Sequence, residues 1–350
     1  MKPSLLSGLV DPERRLPLAL EAAERDGDEI VSGVLRARDG NTYSIRAGIP
    51  RLVVTADEAQ VQTSEAFGFK WKKRDTYDSP AAKENATRWC VEKYGFDSPA
   101  AWVKHFAGRE SILDAGCGSG FSSSLWLDSG LWPGEATWVG VDISEAIDVA
   151  GERLGHVPNT HFVQGDVLRL PFPEESFDTI FSEGVLHHTP STRSALLAAA
   201  RVLAPGGEFD FYVYRRKGPV REFTDDYVRE RIAGLSDEEA WDAMRSLTRL
   251  GQVLAETKTT VELPEDVPLL GIDAGRHDVQ RLIYWHFAKL YWNAALSFEE
   301  NVHVNFDWYR PKYAHRQTAD EVRAWCEEAG LAIDWFHEQE SGFTVRATKR

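Results

Sequence analysis

Short continuous apolar runs alternate along the chain with stretches in which apolar residues recur at helical spacing. Between residues 105 and 215, five short apolar runs are separated by helical patterns, and they lie at 111–116, 137–144, 160–167, 177–184 and 207–215. Parallel strands joined by helices produce this alternation, and the crossovers between them are right-handed. The pattern predicts a doubly wound α/β domain.

The clearest helical pattern is "TPSTRSALLAAARVLAPGG", residues 189–207. Thr189 can cap this helix with Pro190 in its first position, and Gly206 and Gly207 stop it. A helix is therefore predicted between the fourth and fifth strands.

After residue 215 the strand pattern stops. Ser236 and Glu239 form a capping box before a helix, and residues 278–296 predict a second, strongly aromatic helix. A polar loop then leads to another capping box at Thr318 and Glu321. The runs at 331–339 and 342–350 predict a terminal hairpin.

Short β-type runs broken by Asp39-Gly40-Asn41 and by Gly48 and Pro50 occupy residues 27–54. We therefore predict a small β-rich N-terminal appendage at residues 1–60. The α/β domain takes residues 61–215 and 316–350, and a helical insertion at residues 216–315 serves as a lid and binds the substrate.

Charge and composition narrow the possible partners. The net charge of −15 argues against a nucleic-acid surface, and no run has the roughly 20 apolar residues that span a bilayer. The N-terminal residues lack a signal-peptide core, so we expect a cytoplasmic protein. Cys90, Cys117 and Cys326 show no paired spacing, so neither disulfides nor a metal site are expected.

The stretch "SILDAGCGSGF", residues 111–121, places three glycines at every second position directly after the first apolar run. Such a cluster marks a turn that a ligand or a neighbouring group approaches closely. A dinucleotide fingerprint would need glycine at Phe121, and a phosphate-binding loop would need a lysine that is missing. In an open α/β sheet this loop borders the ligand crevice.

The pattern D-x-G-x-G-x-G resembles the first motif of class I S-adenosylmethionine-dependent methyltransferases. Three later strand ends fit the same family, and the family's "LAPGGEF" turn precedes the fifth run. The resemblance implies that one set of residues binds S-adenosyl-L-methionine: Asp114, Gly116, Gly118 and Gly120 in the loop, Asp142 and Ile143 at the ribose, Asp166 and Val167 at the adenine, and Glu183 at the methionine end.

The resemblance covers residues 105–215 and the final hairpin, and it extends loosely to "FGFKW" and "DWYRPKYAHRQT", which are similar to bacterial methyltransferases of the type 11, ubiquinone/menaquinone C-methyltransferase-like group. It implies a Rossmann-like sheet of seven strands whose last hairpin is antiparallel. Residues 43–52 also resemble the end of zinc-ribbon-like modules that precede some bacterial methyltransferases, but the metal-binding cysteines are missing here.

A methyl acceptor that is a hydroxyl or an ammonium needs a base, and His188 follows the fourth strand, where a base would act. His286, His303, His315, Asp307 and Tyr309 compete for that role, and a structural role for His188 stays open. Aromatic residues at 281–310 either form core or line an acceptor pocket, with Trp285, Trp292, Trp308 and Tyr309 as pocket candidates. Arg215, Arg216 and Lys217 could pair with a carboxylate on the acceptor.

The sequence thus predicts an enzyme that transfers a methyl group from S-adenosylmethionine to a small molecule by in-line displacement. An NAD-dependent oxidoreductase on a similar sheet, and a non-catalytic protein that binds the cofactor or its demethylated product, stay as alternatives. The sequence leaves the acceptor, the methylated atom and the oligomeric state open.

Overall fold

A computed structural model describes residues 1–54 and 57–350 of the chain. The strands are β1 (Leu18–Asp26), β2 (Glu29–Ala37), β3 (Thr42–Arg46), β4 (Ile49–Pro50), β5 (Ser111–Ala115), β6 (Thr137–Asp142), β7 (Thr160–Gln164), β8 (Phe177–Glu183), β9 (Leu203–Tyr214), β10 (Thr260–Leu263), β11 (Gly275–Asp278), β12 (Leu331–Glu338) and β13 (Gly342–Lys349).

The helices are α1 (Pro3–Leu6), α2 (Glu58–Lys72), α3 (Pro80–Lys93), α4 (Pro99–Ala107), α5 (Phe121–Leu127), α6 (Ala146–Leu154), α7 (Thr192–Val202), α8 (Pro219–Ile232), α9 (Asp237–Glu256), α10 (Val279–His286), α11 (Phe298–Tyr309) and α12 (Ala319–Glu328). None of these described helices combines the length and the apolar character that crossing a bilayer requires.

The main sheet has seven strands in the order β12-β13-β9-β8-β5-β6-β7. Strands β5 to β9 pair in parallel, and β13 pairs antiparallel with both β9 and β12. The predicted Rossmann-like sheet with an antiparallel last hairpin is confirmed. Because β5 lies between β6 and β8, the strand order reverses there, and the crevice for a ligand opens at its carboxyl end.

Both faces of this sheet are buried. Leu113 of β5 and Ile180 of β8 belong to one apolar core, whereas their neighbours Ile112 and Phe181 belong to the core on the opposite face. Successive side chains in a strand point to opposite faces, so the continuous apolar runs of the sequence fill two helix-covered layers.

Helix α7 starts two residues later than the sequence analysis predicts. Its N-cap is Ser191, whose side chain accepts from the N–H of Ser194 at 3.2 Å. The hydroxyl of Thr189 instead donates to the carbonyl of Leu186 at 2.7 Å. Thr189 therefore closes the preceding turn, and the predicted cap at this residue was wrong.

A four-stranded antiparallel sheet, β1 to β4, forms the small N-terminal β structure. Its first strand, β1, lies outside the predicted β region because "LALEAAERD" has helical composition. Pairing with β2 along the whole strand overrides that preference. The predicted boundary at residue 60 falls inside α2, and the division into domains stays a prediction.

The predicted aromatic helix over residues 278–296 was wrong in its second half. Helix α10 ends at His286, and the following backbone bonds to amide side chains of α11 instead. Asn305 accepts from the N–H of Tyr291 at 2.9 Å, and Asn301 accepts from the N–H of Asn293 at 2.7 Å. These side chains replace the hydrogen bonds that a continuing helix would have supplied.

The predicted polar loop that follows was also wrong, because it contains α11. Ser297 and Glu300 form the capping box of this helix. Its buried face carries polar residues, Asn301, His303 and Asn305 among them, which conceals the helical period of apolar positions. The insertion also contains the β10–β11 ribbon, so it is not purely helical.

Candidate functional site

The glycine loop after β5 has a backbone that other residues rarely adopt. Gly116, Gly118 and Gly120 have φ values of +89°, +54° and +70°. The N–H groups of Gly116 and Cys117 both donate to the carbonyl of Val141, at 2.7 and 2.9 Å, which ties the loop to β6. The three glycines are therefore required by the turn itself.

Side chains of the protein also press on this loop. A β-carbon on Gly116 would lie 2.2 Å from Val185, and one on Gly118 would lie 2.8 Å from the ring nitrogen of Trp71. Trp71 belongs to α2, so the first helix after the N-terminal sheet covers the loop. The close approach that the sequence predicted is made here by Val185 and Trp71.

Asp142 ends β6 beside the loop. Its Oδ2 accepts from the N–H of Gly118 at 2.8 Å, and its Oδ1 accepts from the N–H and hydroxyl of Ser144 at 2.8 and 2.6 Å. Burial raises the pKa of this carboxyl, and the three hydrogen bonds oppose the rise. Asp142 and Ile143 both line the cavity described below.

Asp166 follows β7 at the same sheet edge. Its carboxylate accepts from the N–H of Leu168 at 2.9 Å and caps a short 3-10 helix over Val167–Arg169. Burial raises its pKa. Asp166 and Val167 also line the cavity. Asp166 therefore both forms a turn and faces the cavity.

Glu183 ends β8 and already has two partners. Its carboxylate forms an ion pair with Lys93 and accepts from the hydroxyl of Tyr94 at 2.8 Å. Lys93 is fully buried at the end of α3. Sequence reasoning missed both partners, because they lie about ninety positions away from Glu183 in the chain.

Two residues of the predicted cofactor set lie behind the loop and do not line the cavity: Asp114 and Gly120. Asp114 accepts from the hydroxyl of Ser123 at 2.6 Å, and burial raises its pKa to about 7. Gly120 is the N-cap of α5. Both residues brace the junction between loop and helix, and a direct contact with a cofactor stays a prediction for them.

A cavity of about 730 Å³ joins these strand ends to the insertion. It brings together eight of the ten predicted site residues: Gly116, Gly118, Asp142, Ile143, Asp166, Val167, Glu183 and His188. Helices α2, α3, α5, α8, α10 and α11 supply further walls. Its volume suits a cofactor together with a small acceptor.

His188 is buried but faces this cavity. Its Nδ1 lies 2.7 Å from the carbonyl of Tyr313, so Nδ1 carries the proton and Nε2 keeps a lone pair. Burial lowers its pKa to about 4. His188 is thus a neutral imidazole of the tautomer that can accept a proton, although its role as a base stays a prediction.

The other candidate bases differ in whether they line the cavity and in whether they already have a partner. His303 lines the cavity, but its Nδ1 is 2.9 Å from the hydroxyl of Thr76, and His286 and His315 do not line it. Asp307 does line it, in an ion pair with Lys70. Burial raises the pKa of Asp307, but the charges of Lys70 and Lys289, the hydrogen bond from Lys70 and the nearby His188 together outweigh burial and hold that pKa low.

Lys70 differs from Lys72 and Arg74 of the same basic run, whose side chains are exposed. A run of charges such as "FGFKWKKR" is usually a solvated face, but Lys70 is only 3% exposed and packs over the Trp71 ring at 3.9 Å. Tyr214 donates to the same Asp307 carboxylate at 3.1 Å. Lys70, Tyr214 and Asp307 form one polar cluster on the cavity wall, in which Lys70 and Tyr214 are buried and Asp307 is partly exposed.

The aromatic candidates of the insertion divide between wall and core. Trp285 and Trp308 line the cavity, whereas Trp292 does not. Tyr309 is buried and donates to Asp225 at 3.0 Å. Lys217 lines the cavity, but Arg215 and Arg216 form ion pairs elsewhere, with Glu338 and Glu321.

His105, Glu208 and Asp210 come close enough to hold a metal ion, with ligand atoms within 4.8 Å of one another. They are already engaged, since His105 lies 2.7 Å from Asp210 and Arg109 and Arg346 pair with Glu208. The cluster is therefore accounted for as an ion-pair network.

A known family model matches the part of the chain that carries these strand ends. Residues 113–211 match the family model described as a methyltransferase domain. The match includes the glycine loop after Asp114 and the strand ends at Asp142, Asp166 and Glu183. The predicted class I methyltransferase domain, whose cofactor is S-adenosylmethionine, is confirmed for this part of the chain.

Curated relatives match the same region. The chain is 33% identical over 128 residues to a phthiotriol/phenolphthiotriol dimycocerosates methyltransferase of Mycobacterium leprae, covering 37% of this chain and 46% of that protein. It is 37% identical over 127 residues to a fatty-acid O-methyltransferase of Mycolicibacterium smegmatis, covering 36% and 43%. The chain thus spans about half the length of the curated relatives it matches.

Solved structures resemble the chain over a longer range at low identity. A magnesium protoporphyrin IX methyltransferase from Synechocystis PCC 6803 with bound S-adenosylmethionine is 13% identical, with a TM-score of 0.43 over 85% of this chain and all of that one. An S-adenosylmethionine-dependent methyltransferase from Aquifex aeolicus is 15% identical, with a TM-score of 0.41 over 80% and 98%.

Proposed function

We propose that this chain is an S-adenosylmethionine-dependent methyltransferase that acts on a small molecule. The observation that carries the proposal is the single cavity that joins the strand ends of the methyltransferase domain to the aromatic wall of the insertion. A non-catalytic binding protein would need no acceptor space beyond the cofactor site. An NAD-dependent oxidoreductase is opposed by Phe121 in the fingerprint and by the family match.

The residues present fit the cofactor. Buried carboxylates at Asp142 and Asp166 supply acceptors for the ribose hydroxyls and the adenine amino group. The glycine loop lets backbone approach the methionine portion, and the acidic surroundings suit a cationic sulfonium. When bound, the cofactor supplies an electrophilic methyl group on a good leaving group.

Glu183 would contact the methionine end of the cofactor while keeping its ion pair with Lys93 and its hydrogen bond from Tyr94. Because the Lys93 ion pair already balances its charge, we propose that Glu183 orients the methionine ammonium through one carboxylate edge. The pair also fixes α3 against β8, which keeps the wall of the cavity in place.

The chain would promote transfer chiefly by alignment, with the acceptor atom held roughly 3 Å from the methyl. His188 would take the acceptor's proton at Nε2, because the Tyr313 carbonyl holds the proton at Nδ1. The apolar ring faces of Trp285 and Trp308 would exclude water from the acceptor.

We also propose a cytoplasmic location and no nucleic-acid partner. Cys90, Cys117 and Cys326 are buried free thiols, which supports a reducing compartment. The net charge of −15 supports a small-molecule acceptor over a polyanion.

The experiment that tests the proposal is mass spectrometry of a metabolite extract incubated with the protein and methyl-labelled S-adenosylmethionine. We expect a new labelled small molecule that is absent with heat-inactivated protein. Binding of S-adenosylhomocysteine without any labelled product would instead support the non-catalytic protein.

A further inference from the structure

The aromatic end of the cavity carries an excess of positive charge. Four cationic groups lie within 6 Å of the Trp308 ring, at 4.5 Å for the closest: Lys217, Arg221, Arg229 and Lys289. Three of them, Lys217, Arg221 and Lys289, line the cavity. Like charges this close repel one another unless an anion separates them.

The nearby carboxylates do not balance this charge. Asp225 is fully buried and is occupied by Arg221, by the indole N–H of Trp308 at 2.8 Å and by the hydroxyl of Tyr309. Asp307 is paired with Lys70. Glu340 is exposed, and its side chain acts on Lys217 from a distance.

The other cations of the group have protein partners. Lys217 donates to the backbone carbonyls of Glu340 and Ser341. Arg229 donates to the carbonyls of Trp308 and Pro311. Arg221 is held by Asp225.

Lys289 differs from these three cations in its lack of a hydrogen-bonding or ion-pair partner among the described residues. Its side chain is 6% exposed, and its ammonium lies over the Trp308 ring at 4.5 Å. Within residues 1–54 and 57–350, no hydrogen bond or ion pair reaches that ammonium. Burial of the ammonium lowers its pKa to about 7. A buried cation without a partner is unfavourable because it has lost its hydration, so the arrangement favours an incoming anion.

The side chains around Lys289 indicate what kind of molecule would carry that anionic group. Trp285 and Trp308 present ring surfaces to the cavity. Tyr284 and Tyr291, which flank Lys289 in the chain, line the cavity too. Aromatic walls favour an apolar or planar body. One charged anchor within such walls is how a pocket selects an organic acid.

We infer that the methyl acceptor is an organic carboxylic acid, whose carboxylate pairs with Lys289 while its apolar body lies against Trp285 and Trp308. This inference rests on the proposed function and names the acceptor class for it. From the sequence, Arg215, Arg216 and Lys217 are the candidate partners for such a carboxylate, and Lys289 is assigned no role.

The test is binding of matched probes to protein saturated with S-adenosylhomocysteine. Three carboxylates, benzoate, 1-naphthoate and decanoate, are each compared with the corresponding primary amide, and quenching of tryptophan fluorescence reports binding. We expect at least one carboxylate to bind ten times more tightly than its amide. Lys289→Met should remove that preference, Lys289→Arg should keep it, and the exposed Lys104→Met should have no effect.

Calorimetry with S-adenosylhomocysteine on the same samples separates two failures. If the cofactor product binds but no carboxylate outperforms its amide, or if Lys289→Met keeps the preference, the organic-acid proposal is overturned. If the cofactor product does not bind at all, the proposed function itself fails. Unchanged cofactor affinity in Lys289→Met shows that the variant is folded.

Discussion

Gly116 lies directly against Val185, so that a β-carbon on the glycine would be 2.2 Å from Cγ1 of the valine. The contact joins the loop after β5 to the segment after β8, the two strands between which the sheet order reverses. The first prediction follows from this contact. Gly116→Ala should destabilise the fold through both the clash and the positive φ, and it should weaken cofactor binding.

Gly130 separates these two effects. Its φ is +74°, but nothing lies within 4 Å of a β-carbon placed there. Gly130→Ala should therefore cost only the backbone strain, about 1 kcal/mol in urea unfolding. Gly116→Ala should cost clearly more, and Gly116→Ala with Val185→Ala should recover only part of the difference, because the β-carbon of residue 185 would still lie 2.8 Å away. Equal costs for Gly116→Ala and Gly130→Ala would show that the contact with Val185 is unimportant.

The second prediction concerns the buried pair of Lys70 and Asp307. Lys70→Met leaves the Asp307 carboxylate, which is 26% exposed, with its Tyr214 hydrogen bond but without a counter-charge, and this should cost up to about 3–5 kcal/mol of unfolding free energy. Adding Asp307→Asn removes the stranded charge and should restore most of the loss. Urea denaturation of the single and double variants measures both.

Lys72 is the matched control on the same helix. It pairs with Glu145 at 2.7 Å, but both side chains are more than half exposed. Lys72→Met should cost under about 1 kcal/mol. A cost for Lys70→Met no larger than this would argue that the buried pair contributes little.

The third prediction concerns proton transfer by His188. His188→Asn keeps a donor for the Tyr313 carbonyl but offers no base, so kcat should fall about 10² to 10⁴-fold. Affinity for S-adenosylhomocysteine should stay within about twofold. The rate is measured with the acceptor that the labelling experiment identifies, and the exposed His156→Asn is the control.

The pH profile adds a separate readout. Burial lowers the pKa of His188 to about 4, so the ring is neutral and competent above that pH. The acidic limb of kcat/KM should therefore lie near pH 4. A limb near 6.5, or full activity in His188→Asn, would remove His188 from the mechanism.

The fourth prediction concerns stability against pH. Burial raises the pKa of Asp114 to about 7 from an ordinary value of 3.8, so the folded state binds more protons than the unfolded state between these values. The unfolding free energy contributed by Asp114 is present below pH 4 and is lost as the pH rises towards 7. Each pKa unit corresponds to about 1.4 kcal/mol.

Asp114→Asn removes this titration and keeps an acceptor for the Ser123 hydroxyl. Its stability relative to the wild-type protein should therefore rise between pH 4 and 7, as measured by urea unfolding at several pH values. Asp128→Asn controls for loss of an exposed charge. Parallel curves for Asp114→Asn and the wild-type protein would contradict the raised pKa.

The sheet could be predicted because its signals are local. Apolar runs mark the strands, and carboxylates follow directly after them at Asp142 and Asp166. Parallel topology alone then brings those residues to one edge. The same reasoning failed for β1, where pairing with β2 overrides composition, and for α11, where buried asparagines replace apolar residues.

The walls of the site could not be predicted, because long-range pairing forms them. Lys70 reads as one of four surface cations until Asp307, 237 positions later, removes it from solvent. No local sequence signal marks Lys93, whose ion-pair partner Glu183 lies ninety positions later in the chain. No sequence pattern near Lys289 marks it, because its importance depends on distant carboxylates: Asp225 is engaged by Arg221 and Asp307 by Lys70.

The measurement that tests the central claim most directly is calorimetric titration of the protein with S-adenosylhomocysteine. The account predicts saturable binding at one site, weakened at least tenfold by Asp142→Ala and further by Asp142→Ala with Asp166→Ala, while the exposed Asp128→Ala binds as the wild-type protein does. No heat of binding to the wild-type protein, or equal affinity in the double variant, would contradict a methyl donor held at the carboxyl ends of these strands.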